Sequence, residues 1–207
     1  MGNTIKPSVV VFDLGKVLLD FDYGIMARQL EPLSRLKGVE LKQVIDQSPL
    51  LHQYETGQIS TPQLFEAFVS VTGFGGTLED FSEAFADIFS PIETMLELHA
   101  RLRARGVPVF IFSNTNELAV GHIRRQFPFF ASFDGYVFSH EVGAMKPAAK
   151  IYEAVEAMTG KQGTEILYID DRLENIEAGA ARGWHAVFHR SPEETRRAAE
   201  EYGVVEF

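Results

Sequence analysis

Cysteine is absent from the 207-residue sequence, which excludes disulfide bonds and thiol chemistry. Basic residues are also scarce: 19 Lys and Arg stand against 29 Asp and Glu, for a formal net charge of −10. This balance argues against non-specific nucleic-acid binding, which needs a basic surface. The sequence has no apolar run long enough to span a membrane, and its first residues do not resemble a signal peptide. We therefore expect a cytoplasmic protein that binds neither nucleic acid nor membrane.

An apolar run near the amino terminus and a later alternation of patterns predict the fold class. Val9 to Phe12 are the β-branched and aromatic residues typical of a buried parallel strand. From residue 90 onward, strand-like apolar runs alternate with helical patterns, which indicates a parallel sheet with helices on both faces. We therefore predict an α/β protein with a doubly wound, Rossmann-like core formed by residues 1–19 and 90–207.

The segment between residues 20 and 89 has a different character. Its apolar residues, many of them phenylalanines, recur at helical spacing, and strand signals are weak. We predict that this segment is a small α-helical domain inserted into the core. After it, Ser90-Pro91-Ile92-Glu93 has the form of a capping box, which predicts that the next helix begins there.

Polar residues follow four of the predicted strands. Asp13 ends the first strand, Ser113-Asn114 ends the second, Lys146 follows the third, and Asp170-Asp171 ends the fourth. The carboxyl ends of parallel strands meet at one edge of a sheet, where open α/β folds bind their ligands. Each motif taken alone also fits an ordinary turn, a helix cap or a solvated loop. Their joint occurrence at successive strand ends favours a functional site.

The chemistry of these groups is complementary. Asp13 can attack phosphorus to form an aspartyl phosphate, and Ser113 with neighbouring backbone donors can hold phosphoryl oxygens. Lys146 supplies a positive charge for the carboxylates and for the transferring group. Asp13 and Asp171 offer the hard oxygen ligands that suit Mg²⁺. The residues therefore predict phosphoryl transfer assisted by magnesium.

The motifs also carry a family resemblance. Phe12-Asp13-Leu14-Gly15, Ser113-Asn114, Lys146-Pro147, and Ile169-Asp170-Asp171 with Asn175 resemble the four motifs of the haloacid dehalogenase-like hydrolase superfamily. The resemblance covers nearly the whole chain, and the helical insertion falls where that family has its small cap domain. Phe-Asp-Leu-Gly-x-Val and the cap segment Glu55–Ser60 most resemble the branch that contains α-D-glucose-1-phosphate phosphatase.

This resemblance implies a Mg²⁺-dependent phosphomonoester hydrolase that works through an aspartyl phosphate. It assigns the roles of nucleophile and metal ligand to Asp13. It assigns a second metal ligand to Asp171 and a backbone carbonyl ligand to Gly15. The implied substrate is a small phosphorylated metabolite, with a sugar phosphate as the expected class, and the implied assembly is a monomer or homodimer.

The remaining motif residues would assist these groups. By the same resemblance, Ser113 and Asn114 bind the phosphate, while the catalytic Lys146 binds it and balances the negative charge. Asp170 and Asn175 would support the metal and its waters. All of these assignments are predictions from matched motif positions.

One position departs from the usual pattern. Most phosphatases of the superfamily have a second aspartate two residues after the nucleophile, where it acts as general acid and base, and this chain has Gly15. The glucose-1-phosphate phosphatase-like branch shares the glycine, so the change is compatible with activity. Asp20 and Asp22 are possible substitutes, although surface turn positions explain both carboxylates equally well.

Other reaction classes fit part of the sequence. A haloacid dehalogenase would use Asp13 on carbon without a metal, but paired acids such as Asp170-Asp171 are unusual there. A phosphosugar mutase normally relies on the missing acid, and Gly15 also fits a non-catalytic phosphate-binding module. In the cap, we expect His52, Tyr54 and Glu55 to recognise the substrate.

Overall fold

The computed structural model describes residues 6–46 and 48–206. Within these ranges, the main sheet has five parallel strands in the order β5-β4-β1-β6-β7. The predicted α/β class with a doubly wound parallel sheet is confirmed. The strands are β1 (Val9–Phe12), β4 (Val109–Ser113), β5 (Gly135–Phe138), β6 (Ile166–Asp170) and β7 (His185–Phe188).

Helices cover both faces of this sheet. Successive side chains of a strand point to opposite faces, and those of the central strand are apolar, so both faces must be buried. Val10 and Phe12 pack on one side with residues of the helices α6, α7 and α11, whereas Val9 and Val11 pack on the other side with α9 and α10. The helices of the core are α6 (Glu93–Ala104), α7 (Glu117–Gln126), the short α8 (Ser139–Val142), α9 (Ala149–Thr159), α10 (Leu173–Ala181) and α11 (Pro192–Glu201).

The inserted segment forms a separate helical cluster with its own apolar centre. Aromatic residues dominate this centre, and the ring centroids of Phe68 and Phe81 lie 4.9 Å apart. Its burial supplies the driving force that short helices lack in isolation. Its helices are α1 (Tyr23–Leu30), α2 (Gly38–Gln43), α3 (Pro49–Glu55), α4 (Thr61–Thr72) and α5 (Leu78–Ala86).

A small antiparallel pair joins this helical cap to the core. Strand β2 (Leu19–Phe21) pairs with β3 (Phe89–Pro91), so that Asp20 lies opposite Ser90. The predicted capping box at Ser90 is therefore wrong, because that residue belongs to the returning strand. Helix α6 instead starts after Ile92, which makes no side-chain cap. Within the described ranges, no helix is long and apolar enough to cross a membrane.

Candidate active site

Asp13 follows β1 directly and lies at the carboxyl edge of the sheet. Its Oδ1 accepts hydrogen bonds from the backbone N–H of Leu14 at 2.7 Å and from Lys146 Nζ at 3.0 Å. Both contacts end on the same oxygen, and Asp13 lines the cavity of the site. Burial raises the pKa of Asp13 to about 8, and the charges of Asp170 and Asp171 act in the same direction, while Lys146 opposes them.

Lys146 lies at the centre of the site with its side chain almost completely buried. Its Nζ contacts Asp170 Oδ2 at 2.6 Å, the carbonyl oxygen of Phe112 at 2.9 Å and Asp13 Oδ1 at 3.0 Å. An ammonium group has three donors, and three acceptors surround this one. Burial alone would lower the pKa of Lys146, but the charges of Asp13 and Asp170 raise it above its ordinary value. The lysine is therefore a permanent cation.

Asp170, the last residue of β6, is fully buried and fully hydrogen-bonded. Its Oδ2 accepts from Lys146 and from the Tyr168 hydroxyl, and its Oδ1 accepts from Asn175 Nδ2 at 3.0 Å and from the Arg172 N–H at 2.8 Å. Although burial raises the pKa of Asp170, Lys146 and these hydrogen bonds hold it below its ordinary value. Asp170 is thus an ionised anchor that fixes the position of the lysine.

One carboxylate oxygen from each of Asp13, Asp170 and Asp171 lies within 4.8 Å of the other two. Because Asp170 is saturated with hydrogen bonds, Asp13 and Asp171 are the pair best able to bind a cation. Burial raises the pKa of Asp171, and the charge of Asp170 adds to the effect. Crowded carboxylates of this kind, all with hard oxygen donors, fit the ligand preference of Mg²⁺.

The end of β4 supplies Ser113 and Asn114, and the two residues differ in what they contact. Ser113 is buried beside the cavity. The Asn114 side chain donates to the carbonyl oxygen of Lys146 at 3.1 Å and accepts from the N–H of Lys146 at 2.8 Å. Both polar ends of Asn114 therefore hold the Lys146 loop in place, and its phosphate contact stays a prediction.

A cavity of about 370 Å³ lies between the predicted core residues and the cap. Of the expected cap residues, His52 and Glu55 line it. Tyr54 does not fulfil the expectation, because it is 2% exposed and packs its ring against Phe85 inside the cap. The cavity also has wall residues that sequence reasoning missed: Lys16, Phe21, Tyr23, Asp46, Ser48, Leu51, Met145 and Arg172.

The two acidic residues considered as substitutes for the missing acid have other partners. Asp20 forms an ion pair with Lys16 at the surface. Asp22 caps helix α1 by accepting a hydrogen bond from the N–H of Gly24 at 2.7 Å. Both carboxylates thus stabilise the local structure where the chain passes from the core into the cap.

Residues 7–183 match the family of haloacid dehalogenase-like hydrolases, and the chain therefore belongs to this family. The expected superfamily membership is confirmed. The chain is 27% identical to a sesquiterpene phosphatase, AstK of Aspergillus oryzae, over 88% of this chain and 89% of the relative. It is 23% identical to a D-ribitol-5-phosphate phosphatase of Bacteroides thetaiotaomicron, over 84% of this chain and 88% of that protein.

Solved structures of other proteins share the fold. A HAD family enzyme of Bacteroides thetaiotaomicron, crystallised with magnesium and inorganic phosphate, superposes with a TM-score of 0.76 at 20% identity, covering 88% of this chain and 93% of the other. An L-2-haloacid dehalogenase of Xanthobacter autotrophicus superposes with a TM-score of 0.65 at 20% identity, covering 96% of this chain and 84% of the other. Since both structures share the fold, only the site residues can distinguish the two chemistries.

Proposed function

We propose that the protein is a magnesium-dependent phosphatase that hydrolyses a small phosphomonoester through an aspartyl phosphate on Asp13. The observation that carries this proposal is that the three carboxylates differ in their hydrogen-bond partners. Lys146 and three other donors occupy both oxygens of Asp170, whereas one oxygen of Asp13 and one of Asp171 lie within 4.8 Å of it and of each other. A cation and a phosphoryl group are the partners that such a site needs.

In the proposed reaction, Asp13 Oδ2 attacks phosphorus and the bond from phosphorus to the ester oxygen breaks. Ser113 holds the phosphoryl oxygens, and Lys146, whose donors are occupied by protein acceptors, balances their negative charge. Lys146 faces the developing negative charge from a position already fixed by Asp170, so little reorganisation accompanies the step. Asp13 and Asp171, with the Gly15 carbonyl, would hold Mg²⁺, which supplies charge neutralisation when bound. Asn175 supports this set by donating to Asp170 at 3.0 Å.

The paired carboxylates also argue against the dehalogenase alternative. Attack of an aspartate on carbon requires no metal, and a second crowded carboxylate would only raise the cost of ionising the nucleophile. Asp171 has its pKa raised by burial and by Asp170, so it is an unfavourable neighbour without a cation. Phosphoryl transfer with Mg²⁺ uses this residue, whereas dehalogenation does not.

The cavity wall supports a polyol or sugar phosphate as substrate. Beyond the phosphate end, Asp46, Ser48, His52 and Lys16 provide groups able to hydrogen-bond to hydroxyls. One curated relative is a ribitol-5-phosphate phosphatase, which has a substrate of this class, while the other acts on a sesquiterpene. The glucose-1-phosphate phosphatase-like branch, a cytoplasmic location and a monomeric or homodimeric state stay predictions.

The proposal is tested by phosphate release from sugar phosphates, polyol phosphates, farnesyl phosphate and p-nitrophenyl phosphate, with Mg²⁺ and with EDTA. We expect activity that requires the metal and disappears in Asp13→Asn and Asp171→Asn. The matched control is Asp87→Asn, which makes the same change at an exposed position near the end of α5. Metal-independent halide release from 2-haloacids, with no phosphate release, would refute the proposal.

A further inference from the structure

Gly15 leaves the reaction without the usual acid, and any side chain at this position would meet the ring of Phe21. A Cβ atom at Gly15 would lie 2.9 Å from Phe21 Cε1, a distance that real Cβ contacts do not show. Phe21 is held in turn by Lys16, whose Nζ donates to the Phe21 carbonyl at 2.8 Å and lies 4.6 Å from the centre of its ring. The proton donor must therefore come from another element.

Glu55, the last residue of α3, faces the same space from the cap. It lines the main cavity together with Asp13 and Lys146, and also a smaller cavity of about 50 Å³ that Gly15 and Ser113 line. Glu55 thus shares the cavity with the nucleophile and borders it from the cap. Among the described residues, no hydrogen bond or ion pair commits it, and Arg172 is the charged residue that acts on it.

The end of α3 is docked on the core, which fixes the position of Glu55. Gly57 has a φ of 67°, and a side chain there would clash with the carbonyl oxygen of His140. Beside it, the Tyr54 hydroxyl is hydrogen-bonded to the Thr61 hydroxyl at 2.7 Å, and Thr61 donates to Glu117 of the core helix α7. Gly57 on one side of Glu55 and Tyr54 on the other therefore hold this part of the cap against the core.

Other polar groups of the cap are less suited to the task. Asp46 forms an ion pair with Lys42, 3.2 Å between Oδ2 and Nζ, so its carboxylate already has a partner. His52 also lines the cavity, but it is exposed to solvent. Glu55 is half-buried, beside Tyr23, and burial raises its pKa to about 7 although Arg172 opposes the shift. A carboxyl group of this kind can both give and take a proton near neutral pH.

We propose that Glu55 is the general acid and base of this enzyme, in place of the aspartate that this chain lacks at Gly15. The inference rests on the proposed phosphatase function. In the first step, Asp13 Oδ2 bonds to phosphorus, the bond from phosphorus to the ester oxygen breaks, and Glu55 gives its proton to that oxygen. In the second step, the Glu55 carboxylate takes a proton from water, whose oxygen displaces Asp13 from phosphorus and releases inorganic phosphate.

The test compares Glu55→Gln with the wild type on two substrates in the presence of Mg²⁺. One is the best alkyl phosphate of the panel, whose alkoxide must be protonated to leave, and the other is p-nitrophenyl phosphate, whose phenolate leaves unprotonated. For the alkyl ester we expect kcat to fall about 10²- to 10⁴-fold, the range typical of a lost general acid. With p-nitrophenyl phosphate we expect a burst of phenolate equal to the enzyme concentration and then slow turnover, because water activation is impaired.

Two further variants complete the test. Glu66→Gln makes the same change at an exposed position of α4, and should match the wild type on both substrates. Glu55→Asp retains an acid on a shorter side chain and should recover part of the alkyl phosphatase activity that Glu55→Gln loses. This recovery would not occur if Glu55 only stabilised the cap, and it keeps the test decisive if Glu55→Gln folds poorly.

Several outcomes would overturn the role of Glu55. These are unchanged alkyl ester hydrolysis in Glu55→Gln, equal loss on both substrates without a burst, or no difference between Glu55→Gln and Glu55→Asp. A failure of the underlying phosphatase proposal would look different, because the wild type itself would then release no phosphate from any ester.

Discussion

Replacing Lys146 with methionine should be one of the most destabilising single substitutions in this protein. Methionine keeps the length and apolar stem of the side chain, and can retain contact with the Phe112 ring, whose centre lies 4.8 Å from Nζ. What disappears is the positive charge between two carboxylates. The Lys146 and Asp170 side chains are only 1% and 0% exposed, so water cannot replace the lost partner.

The expected loss is about 3–5 kcal/mol in the free energy of unfolding, the usual range when one partner of a buried ion pair is removed. The matched control is Lys161→Met, which removes a lysine from an i,i+4 pair with Glu165, 2.8 Å between Nζ and Oε1, at 35% and 43% exposure. Exposed pairs contribute only about 0–1 kcal/mol. The two variants should therefore differ by roughly 2 kcal/mol or more.

The measurement is urea-induced unfolding in buffer with EDTA, because a bound divalent cation would partly substitute for the lysine. The double variant Lys146→Met/Asp170→Asn also loses one carboxylate charge. We expect it to be more stable than the sum of its single changes implies, by about 0.5–3 kcal/mol. If Lys146→Met falls within about 1 kcal/mol of Lys161→Met, the reasoning on the buried pair is wrong.

Three more predictions concern stability and are measured by the same unfolding experiments. Tyr168→Phe removes a buried donor to ionised Asp170 and should lower the free energy of unfolding by about 1.5–3 kcal/mol. Tyr136→Phe loses a hydrogen bond to a neutral carbonyl and should lower it by about 0.5–1.5 kcal/mol. Equal losses in the two variants would contradict this reasoning. Gly57→Ala places a side chain at a positive φ and against the His140 carbonyl oxygen. It should destabilise the protein more than Gly160→Ala, where φ is 65° but no atom lies near the added Cβ. A smaller loss of stability at Gly57 would show that the cap does not depend on this contact with the core. Burial lowers the pKa of His99, so this histidine binds a proton more readily in the unfolded chain than in the folded protein, and stability falls as the pH drops below about 6.5. Between about pH 7 and pH 5.5, His99→Phe should therefore lose less stability than the wild type. An unchanged dependence of stability on pH in this variant would refute the assignment.

The cap illustrates how far the sequence could be interpreted without coordinates. Its helical spacing and its position between the first two core strands were readable, because amphipathic periodicity is a local property. The short strands β2 and β3 were not, since each has three residues and forms only when its distant partner is present. For this reason the sequence pattern predicts a helix cap at Ser90, where the structure has a strand.

The sequence by itself determined which residues meet at the carboxyl edge of the sheet. The carboxyl ends of parallel strands lie at the same edge of the sheet, so residues that follow these strands are neighbours there. Asp13, Ser113 and Asp170-Asp171 can therefore be grouped from their positions alone. The chemistry that their side chains can perform also follows from residue type. These positions and residue types predict phosphoryl transfer, and the resemblance of the four motifs to those of a known family predicts the superfamily.

Only the tertiary structure shows which contacts distinguish neighbouring residues. Asp170 and Asp171 have the same side chain, and the motif resemblance alone separates their predicted roles. In the structure, Lys146 Nζ contacts Asp170 at 2.6 Å, and this buried contact sets the two carboxylates apart. In the same way, Tyr54 and Glu55 are consecutive, but a helix turns about 100° per residue, so one enters the cap core and the other faces the cavity. Such choices depend on how separate elements pack, which no local pattern specifies.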